Sequence, residues 1–134
     1  MRRAFLIGIA VLGLSPALTP AAEAAQSLLT TGDLTLDTTE DLYHICTLTP
    51  DDPLQPQAIN LCQGFLLGVV SYHDAVVDRH HLKPLICYPK TATRDQSIEA
   101  FVAWGSSHQK DKKFMTEPAL YGAVRGLAWK WPCK

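Results

Sequence analysis

The stretch from Ala58 to Asp78, AINLCQGFLLGVVSYHDAVVD, decides how the rest of the chain is read. It contains no proline, and its middle, Phe65 to Val70, is apolar nearly all round, broken only by Gly68. A helix apolar on every side must be covered by other elements over most of its circumference, so this stretch predicts the central helix of a small helical domain. Gly64 and Gly68 lie four apart and share a face. Each costs about 1 kcal/mol relative to alanine in a helix, so the pair predicts close approach of a second backbone. In a lipid-embedded helix such a pair would mark a dimerisation face. Here the apolar run is short and gives way to Ser71, Tyr72, His73 and Asp74, which points to close packing inside a soluble core.

Working outward, the 134 residues fit one domain, but the beginning reads as a leader. Met1-Arg2-Arg3 is a positive n-region, Ala4 to Leu14 an apolar h-region, and Ala22-Glu23-Ala24 an A-x-A cleavage site after Pro16 and Pro20. This is the pattern of a secretory signal peptide over residues 1–24, with the helical domain at 25–134. The apolar run is too short for a stable span, so no membrane span is expected after cleavage. The paired arginines partly resemble a twin-arginine motif but lack the polar residues before them, which favours the general secretory route. Twelve basic against thirteen acidic side chains, with no basic stripe, argue against nucleic acid as a partner.

Four cysteines remain: Cys46, Cys62, Cys87 and Cys133. In an exported chain an even count reads as two disulfides, and the wide spacings match no Cys-x-x-Cys zinc pattern. Thr38 followed by Asp41 is a capping-box signal for a first helix from about Thr39 to Leu48, with Leu42, Ile45 and Cys46 on one face. Thr49-Pro50-Asp51-Asp52-Pro53 stops it, and Pro56 suits the first turn of the central helix, which runs to about His80. A short loop between antiparallel helices brings the end of the first beside the start of the second, so Cys46 pairs with Cys62. The loop-entropy model gives that bridge roughly 3 kcal/mol, and a Cys87–Cys133 bridge roughly 4 kcal/mol. Gln26 to Asp37 reads as a loosely held entry segment.

Arg79 to Lys90 is an exit segment made extended by Pro84 and Pro89. Thr93 to Gln96 is a second capping box, opening a third helix from Arg94 to His108 with Ile98, Phe101, Val102 and Gly105 at helical spacing. Gln109 to Lys113 reads as a charged turn. Thr116-Glu117-Pro118 opens a fourth helix whose inner face is Leu120, Val124, Leu127 and Ala128. Gly122 and Gly126 repeat the glycine spacing of the central helix, and the two glycine faces are expected to meet. The fold class is therefore all-α: a small four-helix domain with two intramolecular disulfides.

Chemistry finds little purchase. His80 and His81 point apart, and no HExxH or facial His/carboxylate set is present, so no metal site is expected. His73 and His80 share a face near Asp74, and histidine is the side chain suited to a pH response. Asp51, Asp52 and Asp111 suit turns better than catalysis. With the cysteines oxidised there is no thiol nucleophile, and no serine elbow occurs. No catalytic residue and no cofactor is assigned; the reading is a binding protein rather than an enzyme.

The order of motifs carries a resemblance. Leu42…Cys46 is followed by Cys62-x-Gly64-Phe65-x-x-Gly68, Cys87-x-Pro89, Thr91, Thr93 and Gln96 at a helix start, Phe101-Val102, Pro118-Ala119, and a closing Trp131-Pro132-Cys133. This set resembles the Rap/Tai group of immunity proteins linked to type VI secretion, over about Gly32 to Cys133. The resemblance implies a small periplasmic helical protein that binds and blocks a peptidoglycan amidase effector delivered by neighbouring cells. Several members of the group act as dimers, so the resemblance also allows a homodimer. The stretch Gly105 to Glu117 departs from the pattern: it is rich in Ser and Lys where relatives often carry a His-Pro and clustered Arg.

An inhibitor of this kind needs a rigid scaffold, which lowers the ordering cost of binding, and a protrusion. The two candidates are Ser106 to Phe114 and Arg79 to Lys90. The first is preferred, with Ser107, His108, Lys110, Lys112 and Phe114 as partner-binding residues and Phe114 as the aromatic anchor. The alternative reading is a periplasmic acid-stress or chaperone-like helical protein, with histidines and carboxylates as a pH switch.

Overall fold

Two threonines set where the helices begin. The Thr38 hydroxyl accepts the amide of Asp41, and the Asp41 carboxylate accepts the amide of Thr38, a reciprocal box that opens α1 (Thr39–Cys46). Thr93 and Gln96 do the same for α3 (Arg94–His108). Between them α2 (Gln55–His80) starts with Pro56 in its first turn and ends at His81, whose φ of 52° turns the chain out of the helix. A single turn, α4 (Lys112–Met115), and α5 (Ala119–Lys130) complete the fold, and a 3-10 turn at Asp33–Thr35 precedes α1. The structure, a computed structural model, describes residues 26–134, so the expected leader lies outside the described residues. Among these residues there is no strand, merely an isolated antiparallel bridge between Thr38 and Pro118.

The all-α class, the four longer helices and the two disulfides agree with the sequence reading. Leu42 and Ile45 of α1, Leu66 of α2, Phe101 and Trp104 of α3 and Leu127 of α5 are buried. Cys46 pairs with Cys62 across a Cα separation of 5.2 Å inside the core. Cys87 pairs with Cys133 across 5.0 Å, and the Cys87 amide bonds the Trp131 carbonyl, so the exit segment and the C-terminus are tied together twice.

Four details differ. α1 ends two residues early, because the Thr47 hydroxyl bonds back to the Tyr43 carbonyl at 2.7 Å. The charged turn is partly helical: Asp111 caps the amide of Lys113 and starts α4. Thr116 caps nothing ahead of it; its hydroxyl returns to the Lys112 carbonyl, and Pro118 precedes α5. Most consequentially, the buried face of α5 is its small one, Ala119, Gly122, Ala123 and Gly126 with Leu127, while Leu120 faces outward.

The glycine faces of α2 and α5 do not meet. Gly64 and Gly68 are exposed, with open space where a Cβ would stand. Gly122 lies directly on the Thr39 side chain, and a Cβ on Gly126 would stand 3.0 Å from the Phe101 Cα. The glycine face of α5 thus packs on α1 and α3.

The entry segment is also better held than its composition suggests. Asp33 is buried and accepts from the Thr30 amide (2.7 Å), the Thr30 hydroxyl and His44 Nδ1 (2.7 Å). Asp52 accepts from the Leu28 amide (2.6 Å), the Ser27 hydroxyl (3.0 Å) and the Leu54 amide (2.8 Å). Burial pushes both carboxyls up. The hydrogen bonds outweigh it and, with the His44 charge beside Asp33, hold both below the usual carboxylate range.

Two outcomes are expected. Gly64→Ala and Gly68→Ala raise stability by up to about 1 kcal/mol each in urea melts, whereas Gly122→Ala lowers it by about 1–3 kcal/mol through overlap with Thr39. Because the carboxyls of Asp33 and Asp52 are depressed on folding, their contribution is present at neutral pH and is lost as pH falls below about 4. Hydrogen exchange in acid therefore frees the amides of Leu28 and Thr30 while those of Leu42 and Leu66 stay protected.

Candidate partner-binding surfaces

The end of α3, the following turn and α4 form a corner carrying all five sequence-selected residues. Their side chains do not share one fate. The His108 ring stacks on Trp104 with centroids 4.7 Å apart, and its Nδ1–H donates to the Trp104 carbonyl at 2.7 Å. Phe114 turns inward, edge-on to Trp104 (5.9 Å) and His108 (5.2 Å). The Arg125 guanidinium covers its ring at 4.9 Å and is itself held by a two-point pair with Glu117 at 2.9 and 3.1 Å. The Ser107 hydroxyl donates back to the Trp104 carbonyl. Lys110 and Lys112 are exposed and, with Lys113, give the corner three cations on its outer side. Tyr43 braces the corner from α1, bonding Ser106 Oγ at 3.0 Å and receiving the Gln109 amide.

The corner is therefore a rigid aromatic stack with a lysine rim. Phe114 is part of the support, and the cations face outward.

A second surface escaped the sequence reading. Leu120 and Val124 of α5, Tyr72, His73, Val76 and Val77 of α2, and Leu82 and Leu85 of the exit segment line an open groove of about 550 Å³. Tyr72, Leu82, Leu85, Leu120 and Tyr121 are all exposed there, a cluster of a kind that marks interaction surfaces. In the exit segment Ile86 is buried, while Leu82, Lys83 and Leu85 form one wall of the groove. The missed signal was Leu120, which helical spacing alone placed on the inner face.

Among the described residues no group of three or more His, Cys, Asp or Glu side chains is gathered to hold a metal ion, and no helix is long and apolar enough to cross a membrane. Helices and disulfides together define a small disulfide-tied helical domain. The family model of the Rap1a immunity proteins matches residues 38–133, from the cap of α1 to the second disulfide, and the chain belongs to that family. The resemblance read from the ordered motifs is thereby borne out, and membership implies binding to a cognate effector. No curated protein and no solved structure matches the chain.

The inward Phe114 separates support from contact. Phe114→Ala is expected to cost about 2 kcal/mol by exposing Trp104 and stranding Arg125, whereas Lys112→Glu stays within about 0.5 kcal/mol. Thermal melts of the two variants check this.

Proposed function

We propose that the protein is a periplasmic immunity protein that binds and inhibits a type VI secretion peptidoglycan amidase effector, protecting the producing cell. The observation that carries this reading is the family match over residues 38–133, which takes in all five helices and both disulfides. The leader pattern of residues 1–24 supports export, and the disulfides suit an oxidising compartment. The geometry suits inhibition by occlusion: a scaffold rigidified before binding presents its lysines without first ordering them. Lys110 and Lys112 are the residues proposed to meet acidic groups around the effector's cleft. Ser107 and His108 contribute at the same edge, and Phe114 acts by holding that edge in place.

The test is a titration of purified peptidoglycan amidase effectors with the oxidised mature chain, read by hydrolysis of peptidoglycan fragments. Stoichiometric inhibition of one effector is expected. Lys110→Glu with Lys112→Glu should weaken it by about tenfold or more with unchanged melting temperature, and Leu85→Glu in the groove should leave it unchanged. The opposite pattern moves the interface to the groove. Inhibition of no effector discards the reading.

A further inference from the structure

His73 lies on α2 with its side chain only 9% exposed. Both ring nitrogens are engaged, and in opposite senses. Nδ1 is 2.9 Å from Asp74 Oδ1, and a carboxylate only accepts, so the ring proton sits on Nδ1. Nε2 faces two donors, the amides of Leu85 at 3.0 Å and Ile86 at 3.4 Å, so it must be an unprotonated acceptor. Asp74 is fixed in turn by the Tyr88 hydroxyl on its other oxygen.

The segment held by Nε2 has firm ends and a weak middle. At one end the Leu82 amide bonds the Val77 carbonyl, just after the left-handed His81. At the other, Ile86 is buried, the Cys87 amide bonds Trp131, and Cys87 is joined to Cys133. Pro84 between them brings no N–H, and the next two amides go to His73. Leu82, Lys83 and Leu85 of this segment line the groove beside α5.

We propose that His73 is a pH-sensitive latch: its neutral ring, protonated on Nδ1, holds residues 83–85 closed against α2, and protonation of Nε2 releases them up to the hinge at Ile86. A proton taken from solvent converts Nε2 into a donor facing two donors, and both hydrogen bonds are lost. The Nδ1–H to Asp74 bond survives, now between opposite charges. The change therefore falls on the exit segment while the ring stays in place. The charged and titratable groups near the ring are Asp74 and Tyr72 on α2, Lys83 and Tyr88 on the exit segment, and Tyr121 and Arg125 on α5, with Asp78 acting on Tyr88 and Arg125 engaged by Glu117. Opening swings Leu85 away from the groove wall formed by Val76 and Val77. The latch requires no partner protein.

Two readouts test it on the intact oxidised chain. Nitrogen NMR of the His73 ring at neutral pH should show the Nδ1–H tautomer, the minor one in free histidine. Between about pH 8 and about pH 5 the protection factors of the Leu85 and Ile86 amides should fall by about tenfold or more. His73→Gln, whose side-chain oxygen can still accept but does not titrate, should keep them level, while His44→Gln should leave the wild-type fall intact. An Nε2–H tautomer at neutral pH overturns the latch on the wild-type chain alone. So does an unchanged fall in His73→Gln.

Discussion

Thr39 pins the first helix to the last. Its side chain is fully buried, its amide and hydroxyl both donate to the Glu117 carbonyl at 2.8 and 3.1 Å, and the hydroxyl also reaches Pro118 O at 3.3 Å. The Ala119 amide returns the contact to the Asp37 carbonyl. A buried hydroxyl is tolerable only with such partners, and here the partners are backbone groups that precede α5. The clamp sets the start of α5 so close to α1 that only Gly122 fits over the Thr39 methyl. One turn later, Gly126 lies against Phe101 of α3. The remaining shape follows: with its small face taken up, α5 turns Leu120, Tyr121 and Val124 toward α2 and the exit segment, where they line the groove.

Local signals in the chain were readable because they are self-contained. Thr38 with Asp41, and Thr93 with Gln96, cap their helices through residues three apart, and the structure starts α1 and α3 at those points. Cys46 and Cys62 flank a short loop, so their pairing needs only hairpin geometry. The inner face of α5 was not readable in this way. Its sequence offers two apolar stripes, a large one through Leu120 and Val124 and a small one through Ala119, Gly122, Ala123 and Gly126. Hydrophobic size favours the large stripe. The clamp at Thr39, 78 residues away in sequence from Glu117, selects the small one. The same spacing of glycines in α2 therefore carries a different meaning, since nothing approaches Gly64 or Gly68.

The lysine corner divides along the same line. Lys110 and Lys112 lie in the stretch read as a charged turn, and both are exposed. The direction of Phe114 depends on Trp104, His108 and Arg125, which come from two other helices. No local pattern records that meeting. Sequence reading could not say which side chains of this corner are foundation and which are face.

The exit segment shows why a polar contact was placed where an apolar one would have been more permanent. Ile86 and the Cys87–Cys133 bridge fix one end by burial and covalency, neither of which responds to conditions in an oxidising compartment. The middle is held by a chain running from Tyr88 through Asp74 and His73 to two backbone amides. Every member is satisfied, which makes such a network rigid. The bond to Asp74, burial, and the charges of Asp74 and Asp78 push the Tyr88 phenol up to about 12, so it stays a donor throughout the physiological range. Asp74 needs only to accept. Within this run of hydrogen bonds the imidazole alone can change from acceptor to donor on taking up a proton, and it sits at the link that touches the groove wall rather than the core. Rigid ends and a single titratable link confine the response of this latch to the residues that border the groove.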